Sequence, residues 1–387
     1  MKLGVLTHPI AGNYGGMLQA YAMVKILNEL GHNAKLLDYI PLNHKKRFSK
    51  WSKRIEDAVK CRLFKLPLNF GITKTPFLLA LKLGQTFKQK YIPCSNLIVE
   101  KSDIKFDDSL DCVVVGSDQV WRRRYVQPMH SLAMFFLDFL PEEKRRKSIA
   151  YAASFGTDDW EGTVHDTETC GKLLREFRAV GVREHSGCDI CHNYFKVKAC
   201  QVPDPTLLLT PNHYNTLIDR ENTWAPKKDF LGAYILDNTR SSEAMIRKVA
   251  ALCKNDYTKL NTRTTYMSKH MDFPLSPAQW LRLIRDCKHL ITDSFHGCVF
   301  AIIFNKPFVC IGNKKRGTAR FEALLSTFGL EKRLVFDKSP DKLKQVLYTP
   351  INWNYVNSKI ITERERGKNF LHENLCTASS AYNTQML

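Results

Sequence analysis

The feature that most constrains the fold of this chain is an alternation of short apolar runs with segments of helical periodicity. The run KLGVLTH is followed by a glycine-rich turn, a helix predicted from Met17 to Leu30 that Gly31 ends, and a second apolar run, NAKLLDYI. A strand, a helix and a second strand form the unit from which parallel sheets are built. The start of the chain therefore predicts an α/β fold.

The alternation continues and then restarts after a proline-rich connector, VPDPTLLLTP. Further strands are predicted at 111–117, 147–154, 179–184, 230–236, 289–294 and 307–312, and further helices at 167–178, 242–252, 278–287 and 355–371. The chain has 387 residues, which is long for one hydrophobic core. We predict two Rossmann-like domains facing a cleft, over residues 1–204 and 205–375, with a tail at 376–387.

Positive charge is concentrated in one stretch. The chain has a formal net charge of +20, and the segment from Lys45 to Lys90 has 13 Lys or Arg residues against only Glu56 and Asp57. Apolar and aromatic residues alternate with these charges at roughly helical spacing, so we predict a basic helical insert over residues 44–95. Such an insert is either a solvated excursion or a surface that lies on anionic lipid.

The remaining composition is that of a soluble globular protein, with 44% hydrophobic and 25% charged residues. We find no apolar run of the roughly 18 to 20 residues that a membrane span needs, and no signal-peptide cleavage region at the start. The 12 cysteines are irregularly spaced, which favours reduced thiols. We expect a cytoplasmic protein, with a peripheral position at the inner face of the membrane if the insert binds lipid.

In open α/β sheets, ligands bind beyond the carboxyl ends of the strands. Two polar sets in the first half follow predicted strands. His8 precedes a turn that contains Asn13, Tyr14 and Gly15, where backbone amides are accessible to a ligand. Asp118 follows VVVGS and comes shortly before Trp121, a pair suited to a sugar ring because a carboxylate accepts hydroxyl protons and an indole covers an apolar face. An Asx turn or a helix cap is the structural alternative for Asp118.

Arg183 emerges from the predicted strand AVGV and offers a bidentate donor for a carboxylate or a phosphate, or pairs with a nearby acid. Asp293, Ser294, His296 and Gly297 lie between a predicted strand and a buried helix, where free amides and the helix dipole favour an anion. His296 adds a hydrogen bond or a proton there.

A cationic loop, Lys314, Lys315 and Arg316, follows the next strand. These residues indicate a site for a small polyanion. The sequence has no cluster with metal-ligand spacing, no phosphate-binding P-loop and no serine-based triad motif.

Six strings occur in the order seen in the polysaccharide pyruvyl transferase family, which this chain resembles over most of residues 3–330. They are GNYGGMLQAYA, VVVGSDQVW, SIAYAASFG, VGVREHSG, VPDPTLLL and DSFHGCVFAIIFNKPFV. The resemblance implies a GT-B-like fold. It also implies transfer of pyruvate from phosphoenolpyruvate, as co-substrate and without metal or another cofactor, onto two hydroxyls of a sugar or lipid-linked saccharide during synthesis of bacterial surface polysaccharides.

Under this resemblance, Arg183 and His296 stand where the family binds its donor, joined by Lys314 or Lys315; we also expect Ser294, Gly297 and Arg316 on the donor side. The expected acceptor residues are His8, Asn13, Tyr14, Gly15 and Trp121. His296 is the expected acid or phosphate partner, and Asp118 or Asp293 the expected base.

Two rival functions are weighed against this one. A nucleotide-sugar glycosyltransferase of the same architecture would use Arg183 and His296 to hold a diphosphate. A basic nucleic-acid-binding protein is disfavoured because the clustered aromatic residues occur in one insert and no nucleic-acid motif is present.

Overall fold

Two parallel sheets form the framework of the protein, for which we obtained a computed structural model. The structure describes residues 1–10, 13–39, 75–98, 109–126, 131–237, 239–260, 274–313 and 317–375. Most of the predicted basic insert, from 44 to 74, lies outside these ranges, as do Lys314, Lys315, Arg316 and the tail.

The first sheet lies within the first 201 residues. Its strands are β1 (Lys2–Leu6), β2 (Asn33–Leu36), β3 (Cys112–Val115), β4 (Ile149–Ala153), β5 (Ala179–Val182) and β6 (Cys200–Gln201). They pair in parallel in the order β2-β1-β3-β4-β5-β6. Every side chain of β3 and β4 is buried, as expected for strands that are covered on both faces. The five strands predicted for this half are confirmed, whereas β6 is too short to show a pattern.

The second sheet repeats this arrangement. Its strands are β7 (Phe230–Tyr234), β8 (Asp256–Lys259), β9 (His289–Thr292), β10 (Phe308–Ile311) and β11 (Leu334–Val335). They pair in parallel in the order β11-β10-β9-β7-β8. The apolar patterns of β7, β9 and β10 predict these strands. The pattern does not predict β8, a polar and partly exposed strand at the edge of the sheet.

Helices connect the strands. Their bounds are α1 (Tyr14–Glu29), α2 (Thr75–Tyr91), α3 (Arg123–Val126), α4 (Glu142–Arg145), α5 (Val164–Leu174), α6 (His185–Phe195), α7 (Pro211–Asp219), α8 (Arg240–Leu252), α9 (Pro277–Asp286), α10 (Phe295–Ile303), α11 (Ala319–Thr327), α12 (Pro340–Tyr348) and α13 (Trp353–Leu375). Short 3-10 helices lie at Leu132–Phe136, Pro205–Leu207 and Glu331–Arg333. Within the described part of the chain, every helix falls short of the length or the apolar character that a membrane span requires.

Helix α1 begins at Tyr14, three residues before the predicted start at Met17. Two glycines therefore lie in its first turn, although glycine is a poor helix former. Tyr14 and Gly15 are buried against residues of the second half, so tertiary packing outweighs the local preference.

The last helix, α13, returns to the first sheet. The ring of Phe370 lies 5.8 Å from the ring of Tyr151 on β4. Arg364 donates through Nη2 to the carbonyl oxygen of Leu209 at 3.0 Å. Helix α13 thus contacts the first sheet as well as the segment after the connector, while the division into residues 1–204 and 205–375 stays a prediction.

Candidate functional site

Asp204, in the proline-rich connector, contacts side chains from both halves of the molecule. Its side chain is buried, and Oδ1 accepts hydrogen bonds from the amide and the hydroxyl of Thr206. Oδ2 accepts a hydrogen bond from Nη1 of Arg183 at 3.0 Å and lies 3.5 Å from Nε2 of His296. Arg183 directly follows β5, whereas His296 is in the first turn of α10 after β9. The predicted approach of these two residues is present, and Asp204 holds both.

The charges around Asp204 keep it ionised. Burial by itself raises the pKa of the carboxyl, but His296 and Arg183 lower this pKa well below its usual range. Ser117 adds a hydrogen bond from Oγ to Oδ2 at 3.3 Å. Asp204 is therefore a fixed negative charge between the guanidinium group of Arg183 and the imidazole of His296.

Asp118 is the second carboxylate of the site. It has φ +77°, a left-handed conformation that Asp tolerates better than most residues, and its Oδ1 lies 3.4 Å from Nη2 of Arg183. Burial raises its pKa, but Arg183, His8 and His296 outweigh burial and lower the pKa to about 2. Asp118 is thus ionised at neutral pH and a weak base.

Arg320, in α11, is a cation that sequence reasoning did not select. The guanidinium carbon of Arg183 lies 4.4 Å from the centre of the Phe295 ring, and that of Arg320 lies 5.7 Å from the same centre. Arginine stacks favourably on aromatic faces. Burial and the like charge of Arg183 lower the pKa of Arg320 to about 10. We call Arg183, His296 and Arg320, together with Asp118 and Asp204, the cationic site.

Three buried nitrogen atoms of the cationic site have no hydrogen-bond partner among the described residues, namely Nε of Arg183, Nε of Arg320 and Nε2 of His296. Nε2 of His296, at 3.5 Å from Asp204, is beyond good hydrogen-bond distance. Donors of this kind suit an anionic ligand with several oxygen atoms.

The start of α10 fixes the position of His296. The Ser294 hydroxyl caps the helix and accepts from the amide of Gly297 at 3.4 Å, while the amide of Ser294 donates to the Thr292 hydroxyl. The imidazole lies against Gly15 of α1: a methyl group added there would be 2.1 Å from Nδ1 and 2.8 Å from Cβ of His296. Only glycine leaves room for this ring.

We therefore expect Gly15→Ala to displace the His296 ring and to lower turnover about 100-fold, because a shift of about 1 Å in a reacting group has effects of that size. Gly171→Ala, in α5, is the matched control, since its methyl group would meet the flexible end of Arg175 at 3.2 Å, outside the cationic site. Steady-state turnover rates and melting temperatures check the pair. Equal rates for both variants would contradict this role of Gly15.

Asp293 has a different role from the predicted one. Its Oδ1 accepts from the amide of Leu236 at 2.6 Å and its Oδ2 from the amide of Asp237 at 3.0 Å. The carboxylate is buried and holds the loop that follows β7. This geometry argues against Asp293 as the base.

Two of the predicted acceptor residues belong to the core. Trp121 is fully buried, and its Nε1 donates to the carbonyl oxygen of Phe135 at 2.9 Å. Tyr14 is buried, with its ring stacked on Trp280 and its hydroxyl bonded to Leu275. Neither side chain is available to a sugar, so these two predictions are corrected.

The other predicted acceptor residues lie near the cationic site. Asn13 is exposed beside the start of α1, and Gly15 is covered by His296. The ring of His8 is half-buried against Phe135, and its charge contributes to lowering the pKa of Asp118.

Lys314, Lys315 and Arg316 lie outside the described residues, but the glycine that follows them contacts the first half. Gly317 has φ +82°, and a methyl group added to it would lie 2.4 Å from the carbonyl oxygen of Gly156. In the described ranges, no group of three or more His, Cys, Asp or Glu side chains has an arrangement suited to a metal ion.

Comparisons with known proteins agree with this architecture. The family model described as "Polysaccharide pyruvyl transferase" matches residues 13–315. No curated protein matches the chain. Among solved structures, UDP-GlcNAc 2-epimerase from Methanocaldococcus jannaschii, in complex with UDP-GlcNAc and UDP, has a TM-score of 0.50 and 14% identity over 96% of this chain and 100% of that chain.

Two further structures give similar values. The glycotransferase of kitacinnamycin has a TM-score of 0.48 and 13% identity, covering 97% of this chain and 98% of that chain. UDP-GlcNAc 2-epimerase from Neisseria meningitidis, bound to UDP-GlcNAc, has a TM-score of 0.47 and 11% identity, covering 95% of this chain and 100% of that chain. The likeness to the Methanocaldococcus enzyme confirms the predicted fold, two Rossmann-like domains in a GT-B-like arrangement.

Proposed function

Because the chain belongs to the polysaccharide pyruvyl transferase family, we propose that it transfers pyruvate from phosphoenolpyruvate to two hydroxyls of a sugar as a cyclic ketal. The observation that carries this proposal is the meeting of Arg183 and His296, from different halves of the molecule, at Asp204. With Arg320 beside them, these groups bring together donors that suit a small ligand with both a carboxylate and a phosphate.

The reaction needs a proton at C3 of phosphoenolpyruvate and a sugar oxygen at C2. When both are added, the bond between C2 and the phosphate oxygen breaks, and the second hydroxyl bonds to C2 in place of phosphate. The two hydroxyl protons end on the new methyl group and on phosphate, so the equation balances without an oxidant or a reductant.

Each side chain of the cationic site has a proposed part in this reaction. His296 donates the proton to C3 or binds the phosphate. Arg183 and Arg320 hold the carboxylate and the phosphate, and one of Lys314 and Lys315 neutralises the leaving group. Asp204 positions Arg183 and His296. The low pKa of Asp118 favours a role as a charge partner of Arg183 over the predicted role as a base.

Donor choice tests this function. We expect phosphoenolpyruvate to raise the melting temperature of the protein, and a panel of methyl hexosides to elicit phosphate release from it. UDP-GlcNAc is the competing donor, because a neighbour with this fold is bound to it. A melting temperature that rises with UDP-GlcNAc and not with phosphoenolpyruvate would favour a glycosyltransferase and contradict the proposal.

A further inference from the structure

A cavity of about 520 Å³ lies between the start of α6 and helix α11, so that one wall comes from each half of the molecule. The first wall includes Glu184 and Ser186, and the second includes Glu322, Glu331 and Phe336. This cavity is not formed by any of the residues that were predicted to bind the acceptor. Its volume suits one or two sugar rings.

The cavity adjoins the cationic site through two pairs of consecutive residues. Glu184 follows Arg183 in the chain, and Ala319, also in the lining, precedes Arg320. The charge of Glu184 acts on both arginines, since it contributes to raising the pKa of Arg183 and opposes the lowering of the pKa of Arg320. A ligand in the cavity would therefore lie next to a donor in the cationic site.

Glu184 presents an unpartnered oxygen in this lining. Its side chain is 1% exposed, and its Oε1 accepts hydrogen bonds from the Ser154 hydroxyl and from the amides of Phe155 and Gly156 at 2.7–2.9 Å. Its Oε2 is buried and has no hydrogen-bond partner among the described residues, and the same holds for the Ser186 hydroxyl. The hydroxyl groups of a ligand would supply hydrogen bonds to these buried polar atoms.

The charge of the lining selects the class of ligand. Four carboxylates, those of Asp158, Glu184, Glu322 and Glu331, line the cavity, so a phosphate or a carboxylate is repelled. Phe336, which is 46% exposed, and Leu334 supply the aromatic and apolar residues of the lining. Carboxylates that accept hydroxyl protons beside an aromatic face are suited to a neutral sugar.

We propose that this cavity is the acceptor subsite and binds a neutral saccharide next to the donor. The inference rests on the proposed function, because the saccharide is the molecule that receives the pyruvate. In this proposal the residues that line the cavity contact the sugar, whereas Tyr14 and Trp121 are buried in the core.

Saturation-transfer NMR with methyl glycosides of glucose, galactose and mannose tests the subsite without phosphoenolpyruvate. We expect at least one glycoside to bind the full chain, and Phe336→Ala and Glu322→Gln each to weaken its binding about tenfold or more. Tyr194→Ala and Glu143→Gln are the matched controls, since both residues are exposed and lie outside the cavity lining. Glu322→Gln preserves shape and keeps the test available if Phe336→Ala does not fold.

Two results would overturn the subsite: no glycoside binds the wild-type protein, or the two variants bind as tightly as their controls. The melting temperature with and without phosphoenolpyruvate distinguishes an error in the subsite from an error in the proposed function. If phosphoenolpyruvate raises the melting temperature but no glycoside binds, only the subsite proposal is wrong. Glycoside binding that depends on Phe336 and Glu322, without any shift by phosphoenolpyruvate, supports the subsite and removes the proposed donor.

Discussion

His296→Ala is expected to lower phosphate release from phosphoenolpyruvate in the presence of acceptor by about 10²- to 10⁴-fold, the range typical for loss of a general acid. The imidazole contacts Asp204 and lies against Gly15, so its removal takes the proposed proton donor out of the cationic site. Initial rates over a range of phosphoenolpyruvate concentrations measure the effect. The split between kcat and KM also identifies the role of His296, because loss of a proton donor lowers kcat, whereas loss of a phosphate partner raises KM for the donor.

The matched control for this variant is His192→Ala, a change at an exposed position on α6. It removes the same number of atoms without touching the cationic site, and we expect its rate to equal that of the wild-type protein. Near-normal phosphate release by His296→Ala would contradict the proposed chemistry.

Asp204→Asn is expected to lower the free energy of unfolding by about 3–5 kcal/mol, the usual cost of removing one partner of a buried ion pair. The substitution preserves shape but removes the negative charge that Arg183 and His296 share. Urea unfolding at neutral pH measures the loss. We also expect weaker binding of phosphoenolpyruvate, because Arg183 and His296 lose the group that positions them.

The free energy of unfolding lost in Asp204→Asn should become smaller as the pH falls. The pKa of Asp204 is lower in the folded protein than its ordinary value of about 4, so the carboxylate stabilises the fold fully above pH 4 and loses this effect as the pH falls below it. The difference between wild type and Asp204→Asn should be constant from pH 7 to 5 and smaller at pH 3. Asp256→Asn, at an exposed position on β8, is the control and should show little loss. If the difference in free energy of unfolding between wild type and Asp204→Asn became larger in acid, the role of Asp204 as an ionised partner of Arg183 and His296 would be contradicted.

The sequence predicts most of the framework because parallel strands that are buried on both faces are continuous apolar runs. VVV of β3 and HLIT of β9 are examples, and the polar residues that follow such runs mark the functional edge of each sheet. Arg183 and His296 are found in this way although 112 positions separate them in the chain.

Other parts of the site have no local pattern. Asp204 lies between two prolines and is typical of a connector, while its partners come from distant strands. Arg320 lies in a helix that the pattern does not predict, and its position over Phe295 depends on how α11 packs against α10. The burial of Tyr14 and Trp121 is equally a tertiary property, because an aromatic residue near a strand end looks the same in a core and in a binding site.

The return of α13 to the first sheet has a consequence for biosynthesis. Gly181 of β5 has the Phe370 ring nearby, at 3.1 Å from the position of an added methyl group, and Leu371 and Leu375 are fully buried. A chain that emerges from the ribosome amino end first cannot cover this surface until α13 has been synthesised. The strands of the first sheet are thus made early, and one of their faces is covered only after the second sheet has been made.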